Sequence, residues 1–261
     1  MSAFLKYLIP FALGVAVLAT WQGLVRFYQV PVYLLPAPSD VWAAFTANLP
    51  ELLSALWVTL RIVVLAFVVA AVSGVFWAVV FAQSRVVEMA LYPYAVALQV
   101  TPVVAIAPLI VILVGFDRID LALLIIAWIV AFFPILANTT IGLRSADSNL
   151  TDLFRLYGAS RWQILWRLQL PSALPYLLGA LKVSGGLSLI GVIVAEFVAG
   201  TGTDTGLGWT ITQAMRNLEI AKMFAALGLL ALFGIAIFAA LSALEYALLH
   251  KWHESALKKQ S

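Results

Sequence analysis

Long runs of apolar residues alternate with short polar segments along the whole chain. A helix needs about 20 mostly apolar residues to cross a bilayer. The predicted membrane spans are Phe4–Val25, Ala55–Phe81, Met89–Val114, Leu121–Leu143, Ser172–Ala199 and Met223–Leu249. The pattern therefore predicts an all-α polytopic membrane protein with about six transmembrane helices, in which residues 1–261 form a single transmembrane domain.

Two of the predicted elements depart from a plain apolar helix. Pro93, Pro102 and Pro108 interrupt the third span, and we expect a kinked or broken helix there because proline removes a backbone donor. Residues 200–222 are rich in glycine and threonine. They predict a polar connection between the fifth and sixth spans.

The segment Asp152–Pro171 is the longest one that could not sit in lipid, and its pattern predicts two short helices with a break between them. Asn149 is predicted to cap the first helix. Gly158 occupies a position where a helix end favours positive φ. Ser160 and Gln163 have the spacing of a capping box that opens the second helix, and the closing proline is predicted to end it.

The side chains of this segment combine charge with large apolar groups. The charged residues are Asp152, Arg155, Arg161 and Arg167. The large apolar residues are Leu153, Tyr157, Trp162, Leu165 and Trp166. Exposed groups of this kind beside arginines favour a docking surface for a soluble partner, and an amphipathic loop at the membrane interface is the alternative.

Composition narrows the classes of function. The chain is 64% hydrophobic and 10% charged, with a mean hydropathy of +1.05, whereas soluble domains carry about a quarter charged residues. The chain has no cysteine, and both histidines lie in the polar tail 250–261, so we expect no disulfide and no metal site. It has no G-x-x-x-x-G-K-[ST] motif for ATP and no catalytic constellation. We expect neither enzymatic catalysis nor a cofactor bound by this chain.

The distribution of basic residues predicts the orientation, because cytoplasmic loops are enriched in lysine and arginine. Nine basic residues fall on the side of the two termini, and four fall on the opposite side. The first group is Lys6, Arg85, Arg144, Arg155, Arg161, Arg167, Lys251, Lys258 and Lys259. The second group is Arg26, Arg118, Arg216 and Lys222. Both termini and the loop of about residues 144–171 are therefore predicted to be cytoplasmic.

Two charges lie within the fifth span, where an ionisable residue is costly and faces protein or water. Glu196 is predicted either to be a pathway or gate residue or to be solvated at the outer helix end. Lys182 is either a snorkelling anchor or a pairing or gating charge. Gly185 and Gly186 are predicted to permit close helix packing.

Polar residues beside the prolines of the third span are candidates for a polar pathway through the membrane. A proline leaves backbone carbonyls free, which is tolerated only against protein or a water-filled cavity. A simple packing kink is the alternative. The candidate path residues of the third and fifth spans are Gln99, Thr101, Pro102, Gly185, Ser188 and Glu196.

The 144–171 loop resembles the cytoplasmic loop of binding-protein-dependent ABC importer permeases. That family has E-A-A, three residues, glycine, about nine residues and I-x-L-P. Here Asp152-Leu153-Phe154 stands at E-A-A, with aspartate for glutamate and large residues for the alanines, Gly158 is the glycine, and Leu168–Pro171 is the closing element. The resemblance implies an ATPase-coupling loop of Asp152, Leu153, Phe154, Arg155, Tyr157, Gly158, Ala159, Arg161, Trp162, Leu170 and Pro171.

Four further stretches look like the nitrate, sulfonate and taurine subgroup of that family. They are Leu34–Trp42, Thr101–Leu109, Ala195–Gly200 and Gly206–Gly208. The resemblance covers about residues 34–250 and implies a type I importer permease in the bacterial inner membrane.

The family implies a set of partners. Two copies of the permease, expected as a homodimer, would form the path. Two cytoplasmic ATPase subunits would bind ATP and Mg²⁺, and an extracytoplasmic binding protein would deliver the solute. No nucleic acid is implied.

The sequence also bears on the transported solute and on the other classes of protein that the chain could belong to. Subgroup cargoes include nitrate, sulfonates, taurine, riboflavin and pyrimidines, and sparse basic residues within the spans favour a flat heterocyclic solute over an inorganic anion. An ion-coupled secondary transporter or channel is the main alternative, although it would require intramembrane carboxylates, and only Glu196 is expected to be available for that role. A membrane-bound scaffold or enzyme is the third class.

Overall fold

The computed structural model describes residues 3–199 and 205–250, without the side chains of residues 3–7. The described part of the chain forms helices and contains no strand. They are α1 (Ala3–Phe27), α2 (Pro38–Ala47), α3 (Leu49–Gln83), α4 (Arg85–Val100), α5 (Val103–Val114), α6 (Ile119–Arg144), α7 (Ser148–Leu156), α8 (Arg161–Ile164), α9 (Leu170–Ala199), α10 (Leu207–Arg216) and α11 (Ile220–Leu249). Almost all of the predicted basic tail, from residue 251, and residues 200–204 of the predicted connection lie outside the described residues.

Five helices in the described part are long and apolar enough to cross a membrane, and a sixth span is present if the pair α4–α5 counts as one. The pair bends by 103° at its break, where Thr101 is extended with ψ 127°. The prediction of a broken third span is confirmed at Pro102. Pro93 and Pro108 lie inside α4 and α5, so they do not interrupt the helices.

The prediction that Pro171 ends a short helix is wrong. Arg161–Ala199 is one continuous helix of 39 residues, in which Leu165–Gln169 is a π-helical segment between α8 and α9. There the Leu170 N–H donates to the carbonyl of Leu165, five residues back. This wider turn directly precedes Pro171, which has no N–H to donate, and the helix passes through the proline.

The predicted polar connection 200–222 contains a helix, α10. Its buried residues include Leu207, Ile211 and Ala214, and their spacing of four and three residues is that of an apolar helix face. Glycine and threonine concealed this periodicity in the sequence.

The chain divides into two compact units, and the first comprises Met1–Val58 and Thr203–Leu232. In this unit α1 contacts α2 through an ion pair between Arg26 and Asp40 at 2.8 Å. Lys222 donates to both carboxylate oxygens of Glu51 at 2.7 and 2.8 Å. The buried core of this unit is Leu52, Ala55, Leu207, Ile211, Ala225 and Ala226.

The second unit comprises Thr59–Gly202 and Phe233–Ser261. Its α6 packs along α9 so closely that a Cβ on Gly142 would lie 2.9 Å from the Cα of Ala173. A Cβ on Gly191 would lie 2.7 Å from the Cα of Ala127. Small residues therefore allow the backbones of two spans to approach, as is common in membrane helix pairs.

Candidate functional site

The first helix of the 144–171 loop is capped by Asp147. Its carboxylate accepts the N–H of Asn149 at 2.7 Å, and its carbonyl accepts the hydroxyl of Thr151 at 3.0 Å. The prediction of Asn149 as the cap is therefore wrong by two residues. A carboxylate is favoured at this end because it meets the positive end of the helix dipole.

The break between the two helices of the loop has the predicted geometry. Gly158 has φ +73°, and its N–H donates to the carbonyl of Arg155 at 2.9 Å. The capping box is also confirmed, because the Ser160 N–H donates to the Gln163 side chain at 2.7 Å and the Gln163 N–H donates to the Ser160 hydroxyl at 3.3 Å. The hydrogen bonds of Arg155, Gly158, Ser160 and Gln163 thus hold the two helices at their break.

The tip of the loop exposes apolar surface. Leu156 and Tyr157 are each 85% exposed, and Trp162 is 65% exposed. Beside them lies an open cleft of about 380 Å³. Its lining residues are Leu153, Phe154, Tyr157, Gly158, Ala159, Gln163 and Arg167. Asp152 and Arg155 pair with each other at 3.2 Å on the surface.

The opposite face of the second loop helix is anchored in the second unit. Ile164, Leu165 and Leu168 are buried, and Leu165 belongs to the core cluster that includes Ile135 and Leu143. We expected Leu165 to face a partner, and this expectation is wrong because its position follows the buried stripe of a helix that continues into α9. Leu170 and Pro171 are half-buried in that helix.

Two polar contacts join the loop region to neighbouring helices. Arg144, the last residue of α6, forms an ion pair with Glu88 of α4. The side chain of Gln169 accepts a hydrogen bond from Gln83 at the end of α3 at 3.3 Å. These pairs could not be predicted from the sequence, because their members are 56 and 86 residues apart.

The candidate path residues of the third span lie at the α4–α5 break. Gln99 and Pro102 are exposed, and Thr101 is half-buried. The Thr101 hydroxyl donates to the carbonyl of Ala97 at 2.7 Å. The break therefore presents polar groups at a surface of the second unit.

The candidate path residues of the fifth span are buried in the chain. A Cβ on Gly185 would lie 2.5 Å from Leu241, which confirms close packing at this glycine. The Ser188 hydroxyl donates to the carbonyl of Gly185 at 2.9 Å. Gly186 is exposed and a Cβ there would meet nothing within 4 Å, so the packing prediction is wrong for Gly186.

Both charges of the fifth span have partners on other helices. Glu196 is 4% exposed and accepts a hydrogen bond from the Thr59 hydroxyl at 2.8 Å, which contradicts the solvated alternative. Lys182 pairs with Glu245 at 2.6 Å and lies 5.7 Å from the ring centroid of Phe238. This contact matches the pairing alternative. Glu245, an acidic residue within the apolar sixth span, is the sequence feature that could have indicated a partner for Lys182.

The described part of the chain thus has the features of a polytopic helical membrane protein: helices of spanning length, a break in one apolar pair at a proline, and an exposed loop helix continuous with a span. Residues 70–258 match the family of binding-protein-dependent transport system inner membrane components. The chain belongs to this family.

The chain is also similar to curated permeases. It is 34% identical to the formylaminopyrimidine transport permease protein ThiX of Halalkalibacterium halodurans, over 88% of this chain and 90% of the relative. It is 34% identical to the riboflavin transport system permease protein RibX of Chloroflexus aurantiacus, over 91% and 87%. For the putative aliphatic sulfonates transport permease protein SsuC of Bacillus subtilis, the identity is 29% over 93% and 87%.

A solved structure shares the fold. A chain of an amino acid ABC transporter crystallised with histidines superposes with a TM-score of 0.62 at 16% identity, covering 79% of this chain and 96% of the other. The protein is therefore a multi-pass permease subunit of an ABC importer for a small solute, of the nitrate, sulfonate and taurine subgroup. Nothing in these similarities supports the ion-coupled alternative.

Proposed function

We propose that the 144–171 loop is the element through which a separate ATPase moves the spans. The observation that carries this proposal is the continuity of the helix Arg161–Ala199. At 1.5 Å per residue its 39 residues extend about 58 Å. A force applied at Arg161 therefore reaches Glu196 through one continuous helix.

The surface of the loop has the composition of a docking site. The exposed Leu156, Tyr157 and Trp162 supply apolar anchors, and Arg155 and Arg161 supply a polar rim. The full coupling loop that we propose is Asp152, Leu153, Phe154, Arg155, Tyr157, Gly158, Ala159, Arg161, Trp162, Leu170 and Pro171. ATP and Mg²⁺ would bind to the partner ATPase subunits, since this sequence carries no nucleotide-binding motif.

A cross-link tests the docking proposal. The natural chain has no cysteine, so Tyr157→Cys introduces a single thiol at an exposed site. A thiol-to-amine reagent should join it to the ATPase in the purified complex, and Leu218→Cys, which is also exposed, should give no adduct. An ATPase that co-purifies without reacting at position 157 would count against docking there.

The candidate path lies at the α4–α5 break and along α9, and a second copy would complete it. An exposed stripe with seven-residue spacing supports this arrangement: Tyr176, Val183, Ile190 and Phe197. Such a repeat is typical of a helix that packs against another helix. We propose a homodimer in which Gln99, Thr101, Pro102, Gly185, Ser188 and Glu196 contribute to the path or its gate.

The proposed orientation places both termini and the 144–171 loop in the cytoplasm, because nine basic residues face that side against four on the other. Membrane-impermeant maleimide should label Tyr157→Cys only after the cytoplasmic side is opened and Leu218→Cys from outside. Labelling of both from one side would contradict the proposed topology. An extracytoplasmic binding protein would then dock on the side of Leu218.

The proposed solute is a small heterocycle. The two relatives at 34% identity are named for formylaminopyrimidine and riboflavin, and few basic residues lie in the spans. The cognate binding protein should bind a pyrimidine or flavin more tightly than taurine or nitrate in calorimetry. Tighter binding of taurine or nitrate would overturn the heterocycle proposal without affecting the permease assignment.

A further inference from the structure

A second cavity of the second unit lies between the 144–171 loop and the segment where α3 ends and α4 begins. Its volume is about 610 Å³. Its lining residues are Ala82, Gln83, Arg85, Thr151, Arg155, Ala159, Arg161, Ile164 and Gln169. Three of the nine are arginines and none is acidic. The cavity is therefore a local concentration of positive charge.

Two of the three arginines of this cavity, Arg85 and Arg161, retain unused capacity for an anion, while Arg155 pairs with Asp152 at 3.2 Å. Arg85 lies 3.9 Å from Glu88, whose closer partner is Arg144. The side chain of Arg85 is 75% exposed. Among the described residues, no acidic side chain forms an ion pair with Arg161. A guanidinium in this situation favours a phosphate, which it can contact with two parallel hydrogen bonds.

The cavity lies where a span ends. Ala82 and Gln83 are the last two residues of the 35-residue helix α3, and Gln83 bonds to Gln169 at one wall. On the same face as Arg85 and one turn further along α4, Met89 is 60% exposed. Basic groups at the end of a span next to an apolar surface match both parts of a phospholipid, the headgroup and the chain.

We infer that this cavity binds the phosphate headgroup of an anionic phospholipid. The leaflet would be the cytoplasmic one, which rests on the proposed orientation. An acidic segment of the ATPase is the competing occupant. Arg155, Ala159 and Arg161 belong both to this cavity and to the proposed coupling loop. The lipid is favoured because the other wall is formed by Ala82, Gln83 and Arg85 at the end of a span, and because Met89, four residues after Arg85 on α4, is exposed.

The test uses the complete importer in vesicles of phosphatidylcholine that contain a trace of spin-labelled lipid. The importer should immobilise spin-labelled phosphatidylglycerol in preference to spin-labelled phosphatidylcholine. Arg85→Gln should lower this preference about fivefold, as expected for loss of one basic contact near the membrane surface. Arg118→Gln is the matched control, because Arg118 is 71% exposed and lies 3.7 Å from its own acidic neighbour, Asp117, and it should change nothing.

Each other outcome overturns the inference. Equal immobilisation of the two lipids, or equal effects of the two variants, would show that no selective site involves Arg85. Displacement by inorganic phosphate at matched ionic strength would assign a free-anion site instead. Lipid selectivity of the permease alone that disappears in the complete importer would assign the cavity to the ATPase. The binding readout is independent of transport, so its failure is distinguishable from failure of the proposed function.

Discussion

At the scale of single residues, the two charges in the fifth span are held by polar partners on other helices. Thr59 donates to Glu196, and Glu245 pairs with Lys182. A charge within a span is expensive unless it is paired. These contacts therefore connect α9 to α3 near the C-terminal end of α9 and to α11 nearer its middle.

Replacing Thr59 with valine should destabilise the permease by about 1 kcal/mol, because the carboxylate of Glu196 loses a buried donor. The thermal unfolding midpoint in detergent measures this loss. Thr46→Val is the control, since the exposed Thr46 hydroxyl bonds only to carbonyls of its own helix. Equal midpoints for the two variants would show that the Thr59–Glu196 contact contributes nothing to stability.

Lys182→Met and Glu245→Gln should each lower stability, and the double variant should lose less than the sum. We expect a coupling energy of about 1 kcal/mol from the double-mutant cycle. Additive effects would mean that the two side chains do not interact in the membrane.

The sequence predicted that Glu196 and Lys182 face protein or water rather than lipid, but it could not identify their partners. Thr59 and Glu196 are 137 positions apart, and Lys182 and Glu245 are 63 apart. A sequence shows that a charge lies within an apolar span, and hence that it needs a partner. Which residue is the partner depends on how the helices pack, and the sequence of one span does not determine this. The local geometry of Gly158, Ser160 and Gln163 was predictable because all of its hydrogen bonds are formed within a few residues.

At the scale of elements, prolines have different consequences in different helices. The helix direction changes at Pro102, while Pro93, Pro108 and Pro171 lie within continuous helices. Hydropathy predicts a span in each case, because lipid requires every backbone group to be satisfied internally. It does not predict which proline bends the chain, since that depends on the neighbouring helices.

Pro102→Ala should lower transport about tenfold or more while the permease still inserts. Proline in a helix interior costs about 3 kcal/mol, so its removal favours a straightened α4–α5 that no longer presents Gln99 and Thr101 at a break. Pro93→Ala, which changes a proline within α4, should transport almost normally. Solute uptake into proteoliposomes measures both variants, and equal rates would show that the break is not needed.

At the scale of the whole molecule, the helix that begins in the 144–171 loop is the same helix that carries Lys182 and Glu196. The sequence predicted a short loop helix that ended at Pro171, and the structure has a continuous helix instead. This difference strengthens the proposed mechanism. A motor bound at the loop would act on the fifth span directly, with Gly158 setting the angle of the contact.

The most direct test of this coupling changes the backbone at Gly158 alone. A Cβ at this position would meet nothing within 4 Å, so a substitution acts only through the positive φ of +73°. Valine should cost about 1–3 kcal/mol locally. Alanine should be milder, and asparagine, which tolerates this conformation, is the matched control.

The measurement is ATP hydrolysis and solute uptake by the complete importer in proteoliposomes, with and without loaded binding protein. Gly158→Val should still insert but lose uptake and lose the stimulation of hydrolysis by loaded binding protein. Gly158→Asn should retain both. If Gly158→Val transports like the natural protein and keeps its stimulated hydrolysis, the 144–171 loop does not couple the ATPase to the spans.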